Sequence, residues 1–313
     1  MTLACGVDVG GTKIAGGVVD EHGAIIEELR VESPATDAEA IEEAIAGLVT
    51  ELRSRHEIAA VGVGAAGYID KSRAVVMFAP NIAWRNVNLK AELEERVNLP
   101  VVVENDANAA AWGEFTYGAG HDVDDLLLVT VGTGVGGGVV LDGELYRGAF
   151  GVGAEIGHMR VVPDGILCGC GNHGCFEQYA SGSAMVREAR SAAGGGSLLA
   201  RGLLDRAGGD IENITGPLIT EAARAGDWFA IEQLAALGKW LGEGIASLTA
   251  VLDPAVVVIG GGVSEAGELL LAPIRSAFAA QLTGRGHRPM LEIRRARLGN
   301  RAGLIGAADL ARR

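Results

Sequence analysis

Leu3-Ala4-Cys5-Gly6-Val7-Asp8-Val9-Gly10-Gly11-Thr12-Lys13-Ile14-Ala15-Gly16-Gly17-Val18-Val19 is the stretch on which the fold turns. Leu3–Val9 and Ile14–Val19 have the length and β-branched content of strands, and Gly10-Gly11-Thr12 breaks them apart. A third strand is expected at Ala24–Leu29, after the polar turn Asp20-Glu21-His22-Gly23. The same arrangement returns later. Leu126–Val131 and Gly138–Leu141 flank the loop Gly132-Thr133-Gly134-Val135-Gly136-Gly137, with Glu144–Tyr146 as the next strand.

Each meander is followed by alternating helices and strands. In the first half, Thr36-x-x-Glu39 reads as a capping box for a helix with the apolar stripe Ile41, Ile45, Leu48 and Leu52. Strand Val61–Ala65, helix Leu89–Val97, strand Val101–Glu104 and helix Asp106–Phe115 come next. In the second half a long helix, Trp228–Leu252, precedes strand Ala255–Ile259, helix Leu269–Gln281, strand Leu291–Arg295 and a last helix, Leu304–Ala311. This is an α/β unit used twice, and two such halves leave a cleft suited to a ligand. The expected domains are residues 1–117 with 301–313, and residues 118–300 with a cysteine-rich insertion. The small-residue segment Gly194–Gly209 reads as a mobile surface connection.

The chain has 313 residues, 48 of them glycine against 8 proline, and a formal net charge of −14. That glycine content suits loops where backbone approaches a ligand. The acidic balance, without a basic run, argues against a nucleic-acid surface, since phosphate-backbone binding needs clustered Lys and Arg. No apolar run approaches the ~20 residues of a membrane span, and no signal peptide is expected, so a cytoplasmic protein with reduced thiols is the reading.

Three glycine loops carry chemistry. In Asp8-Val9-Gly10-Gly11-Thr12-Lys13, the glycines admit phosphate oxygens, Thr12 adds a hydroxyl, Lys13 adds charge, and Asp8 is placed to hold Mg²⁺ through water. A plain hairpin turn is the alternative. Gly132-Thr133-Gly134-Val135-Gly136-Gly137 satisfies G-x-G-x-x-G but leads into a strand, whereas a dinucleotide fingerprint opens a helix. A pair of phosphate clamps fits better. Ile259-Gly260-Gly261-Gly262-Val263 joins a strand to a helix, where a flat ring can lie against backbone.

Cys168-Gly169-Cys170-Gly171-Asn172-His173-Gly174-Cys175 holds three of the four cysteines, beginning ten residues after His158. Three thiolates and an imidazole form a closed structural Zn²⁺ set. The alternatives are a disulfide, which would leave one of three thiols unpaired, or simple core packing. Cys5 stands apart and reads as a small core residue. The carboxylates Asp106, Glu155 and Glu177, with Asn105, suit a polyhydroxylated ligand, and His158 has one ring nitrogen for zinc and another for a sugar. Asp106 reads alternatively as a helix cap.

The motifs DVGGTK (8–13), ENDANAA (104–110), VGTGVGGG (131–138), AEIGH (154–158), CGCGNHGCFEQYASGSA (168–184) and IGGGV (259–263) resemble those of the kinase branch of the ROK family. That family has the duplicated actin-like fold of sugar kinases, Hsp70 and actin. The cysteine signature is most similar to its bacterial ATP-dependent glucokinases. The resemblance implies transfer of the ATP γ-phosphoryl group to the glucose 6-hydroxyl, the step that feeds glycolysis, with Asp106 as general base. It implies sugar contacts from Gly67, Asn81, Asn105, Asp106, Glu155, His158 and Glu177. Asp8, Gly10, Gly11, Thr12, Lys13, Thr133 and Gly134 would flank the ATP phosphates and Mg²⁺, and Gly261 and Gly262 the adenine. His158, Cys168, Cys170 and Cys175 would hold structural zinc. A homodimer or homotetramer is implied as well. Kinases of N-acetylglucosamine, N-acetylmannosamine or fructose, a polyphosphate-using glucokinase, and a non-catalytic sugar-sensing ROK regulator are the competing readings.

Overall fold

A computed structural model describes residues 2–313. In chain order the elements are β1 (Leu3–Val9), β2 (Lys13–Val19), β3 (Ile25–Glu32), α1 (Ala38–Arg53), β4 (Ile58–Ala65), β5 (Tyr68–Ile69), β6 (Val76–Phe78), β7 (Arg85–Val87), α2 (Leu89–Val97), β8 (Val101–Asn105) and α3 (Asp106–Tyr117). Then come β9 (Leu126–Val131), β10 (Val135–Leu141), β11 (Glu144–Tyr146), α4 (Glu177–Ala180), α5 (Gly182–Gly194), α6 (Arg201–Arg206), α7 (Gly216–Arg224), α8 (Trp228–Leu252), β12 (Val256–Gly260), α9 (Glu268–Gln281), β13 (Glu292–Arg295) and α10 (Ala302–Arg312).

The duplicated α/β plan is present in the strand orders. One five-stranded sheet runs β3-β2-β1-β4-β8 and the other β11-β10-β9-β12-β13, so each meander is extended on its first strand by two later ones. In the first sheet β1–β2 and β2–β3 are antiparallel, while β1–β4 and β4–β8 are parallel. This mixture follows from the connections: tight turns reverse the chain, whereas helices return it to the same edge. The chain divides into two compact units. The first runs to Leu128 and adds Gly137–Ala154 and Arg297–Arg313; the second comprises Val129–Gly136 and Glu155–Ala296.

In the first unit, Ile41, Ile45, Leu48 and Leu52 of α1 are buried against the sheet as the stripe predicts. Burial of each such side chain contributes about 1.5–3 kcal/mol. Asp37, not Thr36, caps this helix: its carboxylate accepts from Ala40 N–H at 3.2 Å. The capping-box expectation is therefore displaced by one residue, because Asp is as good a cap as Thr and sits closer to the apolar stripe.

Helix α10 lies directly on the sheet of the first unit. A Cβ at Gly6 would meet the Leu304 carbonyl at 1.9 Å, and one at Gly62 the Ala307 carbonyl at 1.8 Å. Only a glycine stripe allows a helix axis to come this near a strand. The helix is fastened by Asp309, which accepts from Trp112 Nε1 at 2.8 Å and Tyr117 OH at 2.6 Å.

Three features depart from expectation. A small sheet, β5-β6-β7, occupies residues 68–87, where no strand was anticipated. Helices α5 and α7 lie between the cysteine loop and α8. The Gly194–Gly209 segment is not a structureless connection: it contains a 3-10 turn, Leu198–Ala200, and α6, with Ala200, Leu203 and Ala207 buried. Its leucines carry a helical pattern that the surrounding glycines obscured. Among the described residues no helix is long and apolar enough to cross a membrane.

Candidate functional site

In the first unit the parallel pairing of β1, β4 and β8 brings two carboxylates together. Asp8 sits opposite Gly64, and Gly64 opposite Glu104, so Asp8 and the β8–α3 junction lie at the same end of the sheet. Asp106 is the first residue of α3 but does not cap it. Asn105 does, accepting from Asn108 N–H at 3.0 Å. Asp106 is thereby left available for other work. Burial pushes its carboxyl up, opposed by the backbone amides of Ala107 and of Asp106 itself. A Cβ on Gly303 of α10 would lie 3.7 Å from both the Asp106 carbonyl and an Asp8 carboxylate oxygen, so glycine there keeps the space beside both residues open.

Asp8 is pushed up to about 7, first by burial and then by the charge of Asp106. Its unfolded value is about 3.9. The folded state therefore retains a proton that the unfolded state gives up. The resulting stabilisation is complete below about pH 4 and is lost as the pH rises through about 7. Asp8→Asn is expected to flatten this part of the stability profile in divalent-free buffer. Thermal unfolding from pH 4.5 to 7.5 measures it, and parallel wild-type and variant curves would refute the assignment.

The glycine turn between β1 and β2 is closed by Gly10 N–H donating to the Lys13 carbonyl at 3.0 Å, with Gly11, Thr12 and Lys13 exposed. Asn81 lies close by, since a Cβ on Gly11 would be 3.6 Å from its carbonyl. The turn bearing Asn81 is shaped by Arg85, whose Nη1 donates to the carbonyls of Ala79, Ile82 and Trp84. Asn105 Nδ2 donates to the Gly67 carbonyl at 3.1 Å. Asp8, Gly10–Lys13, Gly67, Asn81, Asn105 and Asp106 thus all belong to the first unit.

In the second unit the cysteine loop folds back on itself through bridges pairing Arg160 with Cys175 and Leu167 with His173. Gly174 takes φ +74, and a Cβ there would sit 1.6 Å from the Val162 carbonyl, so no other residue fits. The donor atoms of His158, Cys168, Cys170 and Cys175 lie within 4.8 Å of one another. Cys170 and Cys175 sulfurs are 3.6 Å apart, and Cys168 sulfur is 3.7 Å from His158 Nδ1. A tetrahedral ion with ~2.3 Å bonds to sulfur sets sulfurs roughly 3.7 Å apart, so the cluster fits zinc. All four cysteines are free of disulfides. Burial pushes the thiols of Cys168 and Cys175 up, which a divalent cation in their midst reverses.

Glu177 opens α4 and joins this cluster to the second glycine loop. One carboxylate oxygen is 3.0 Å from Cys168 sulfur and 3.8 Å from His158 Nδ1. The other would be 2.7 Å from a Cβ on Gly134. Glu155 precedes the 3-10 turn Ile156–His158. The Gly132–Gly134 turn is held by Gly182 N–H donating to the Gly132 carbonyl at 2.8 Å. Gly261, at φ +80, packs so that a Cβ would meet the Val131 carbonyl at 2.5 Å.

These loops form one wall of a cavity of about 1120 Å³ within the second unit. Gly132, Thr133 and Gly262 face Ser183 and Val186 of α5 and the Thr215–Pro217 start of α7. The α5 and α7 walls were not anticipated from the sequence. Their traces were the caps Ser181 and Thr215, the latter followed by Gly-Pro. Glu104, a buried acid that follows the apolar run of β8, had no role of its own in the 104–110 motif.

The ROK family model matches residues 4–313. A glucokinase of Streptomyces coelicolor is 51% identical over 312 residues, covering 100% of this chain and 98% of that protein. A glucokinase of Thermotoga maritima is 36% identical over 307 residues, covering 97% and 96%. Among solved structures, a ROK family glucokinase from Streptomyces griseus in complex with glucose and AMPPNP superposes with a TM-score of 0.91. It shares 53% identity and covers 99% of both chains.

Proposed function

Since the chain belongs to the ROK family, we propose that it is a glucokinase, transferring the γ-phosphoryl group of ATP to the 6-hydroxyl of glucose. The observation that carries this reading is the full-length likeness to a glucokinase solved with glucose and AMPPNP.

Phosphoryl transfer is mostly positioning and charge neutralisation, with one group to take the hydroxyl proton. In this reading Asp106 is that group. It is free of capping duty, and burial makes it a better proton acceptor than an ordinary aspartate. Asn105, Gly67 and Asn81 bind sugar hydroxyls in the first unit, and Glu155, His158 and Glu177 in the second. The glycine turns at Gly10–Lys13 and Gly132–Gly134 offer amides and hydroxyls to phosphate oxygens. The second-unit cavity takes the adenine nucleoside near Gly261 and Gly262, which favours ATP over a polyphosphate donor.

Mg²⁺ would be held at Asp8, where the neighbouring Asp106 carboxylate already favours a cation, and it would neutralise phosphate charge. Zinc would be held by His158 Nδ1, Cys168, Cys170 and Cys175. Four protein ligands leave it no open position, so its part is structural. His158 then keeps Nε2 for the sugar. We place the protein in the cytoplasm, consistent with its free thiols. The proposal includes a homodimer or homotetramer, which a solution mass measurement reads.

The test is a panel of acceptors and donors. Glucose with ATP is expected to give the highest kcat/KM, ahead of N-acetylglucosamine, N-acetylmannosamine, fructose and polyphosphate. A preference for another hexose would overturn the substrate assignment, and no turnover of any sugar would overturn the enzyme reading.

A further inference from the structure

We propose that Glu104 is a positioning residue for this phosphorylation: its buried carboxylate holds Gly67, Asn105 and Asp106 in register for the acceptor sugar. The inference rests on the kinase reading above.

Glu104 is 1% exposed and follows the apolar residues Val101–Val103 within β8. A lone carboxylate there would carry a large desolvation cost. It is met by three hydrogen-bond donors, Asn105 N–H, Asn108 Nδ2 and Arg73 Nε, and by an ion pair with Arg147. One oxygen accepts from Asn105 N–H at 2.9 Å and Asn108 Nδ2 at 3.2 Å. The other lies 3.0 Å from Arg73 Nε and 2.8 Å from Arg147 Nε.

Both arginines reach onward to the β5–β6 hairpin. Arg147 donates through Nη1 to the Lys71 carbonyl at 2.8 Å and through Nη2 to the Asp70 carbonyl at 2.9 Å. Arg73 belongs to that turn and accepts at its own carbonyl from Val103 N–H of β8 at 3.1 Å. Its φ of +58 is a conformation that a long side chain keeps only when its surroundings hold it. The hairpin is thus tied to the end of β8 through one carboxylate. Gly67 stands at the start of this hairpin, and Asn105 Nδ2 closes the circuit by donating to its carbonyl.

Stability alone does not account for such a cluster. Apolar residues of similar volume often replace a buried ion pair at no loss, or with a gain. A carboxylate with two guanidiniums contributes directionality instead. Here its hydrogen bonds act on the backbone one residue before Asp106 and on the side chain that shares the first turn of α3 with it.

Glu104→Gln keeps the shape and the acceptor for Asn105, but turns an amide NH₂ toward two guanidiniums. The expected result is a glucose KM about tenfold higher and a kcat about tenfold lower, with the KM for ATP unchanged, since displacements near 1 Å cost that much or more. Arg147→Lys should move the same quantities in the same direction by less, because lysine keeps the charge and loses the fork to Asp70 and Lys71. A merely structural role would lower the melting temperature and leave the constants of the folded fraction alone. Wild-type glucose constants in either folded variant would overturn the proposal. So would failure of both variants to fold, which would make the cluster a stability element. Wild-type protein that does not phosphorylate glucose would instead overturn the kinase reading on which the proposal rests.

Discussion

Asp106→Asn is expected to lower kcat for glucose phosphorylation by about 10³-fold while leaving glucose affinity within a few-fold of wild type. Asparagine fills the same volume and still hydrogen-bonds a hydroxyl, so the ground-state complex survives. It does not accept the proton that leaves the hydroxyl as the new bond forms. Three observations make Asp106 the residue to change. Asn105 has taken over the capping of α3, the Asp106 charge lies close enough to add to the burial that pushes Asp8 up, and burial raises the affinity of Asp106 for a proton. The same burial gives a pH signature. The ionised form is the active one, so activity should fall on the acid side at a pH above the ordinary aspartate range. That limb should vanish from the residual activity of the variant. Full turnover by Asp106→Asn would remove the proposed base.

Loss of the cysteine cluster has the second largest expected effect. Purified protein is expected to carry about one zinc per chain. Its removal by a strong chelator, or Cys175→Ser, should lower the melting temperature by on the order of 10 °C, the equivalent of ~4 kcal/mol of metal linkage. Cys175 is fully buried and precedes Phe176, which is also fully buried and packs directly on Gly244 of α8. A metal bound there would therefore hold together more than its own loop. Because Glu177 touches both Cys168 and the Gly132–Gly134 turn, glucose KM should rise along with the thermal effect. A metal-free protein with unchanged stability and turnover would contradict the structural-zinc reading.

Much of this was legible from local patterns. β1, α2, β9, β11 and α8 end where their apolar periodicity and flanking polar residues end. The clustering of His158, Cys168, Cys170 and Cys175 was legible because three of the four fall within one short loop. What was hidden depends on distance along the chain. Asp8 and Asp106 meet only because β1, β4 and β8 pair in parallel, and no short window encodes that pairing. Glu104 looks like any polar residue at a strand end until Arg73 and Arg147 arrive from elsewhere in the chain. The strands β5, β6 and β7 are two or three residues long, too short for alternation to register. Helices α5 and α7 are amphipathic, but the face each buries is made largely of small residues, Ala184, Ala189, Ala222 and Ala223 among them, and lacks the run of large side chains that marks α1.

The central claim, that this chain phosphorylates glucose at its 6-hydroxyl from ATP, is tested most directly by identifying the product. ³¹P and ¹³C NMR of a reaction with uniformly ¹³C-labelled glucose, ATP and Mg²⁺ should show glucose 6-phosphate and ADP appearing in equal amounts. Phosphate on another carbon, ADP formed without a sugar phosphate, or unchanged glucose in the presence of folded, zinc-loaded protein would contradict it.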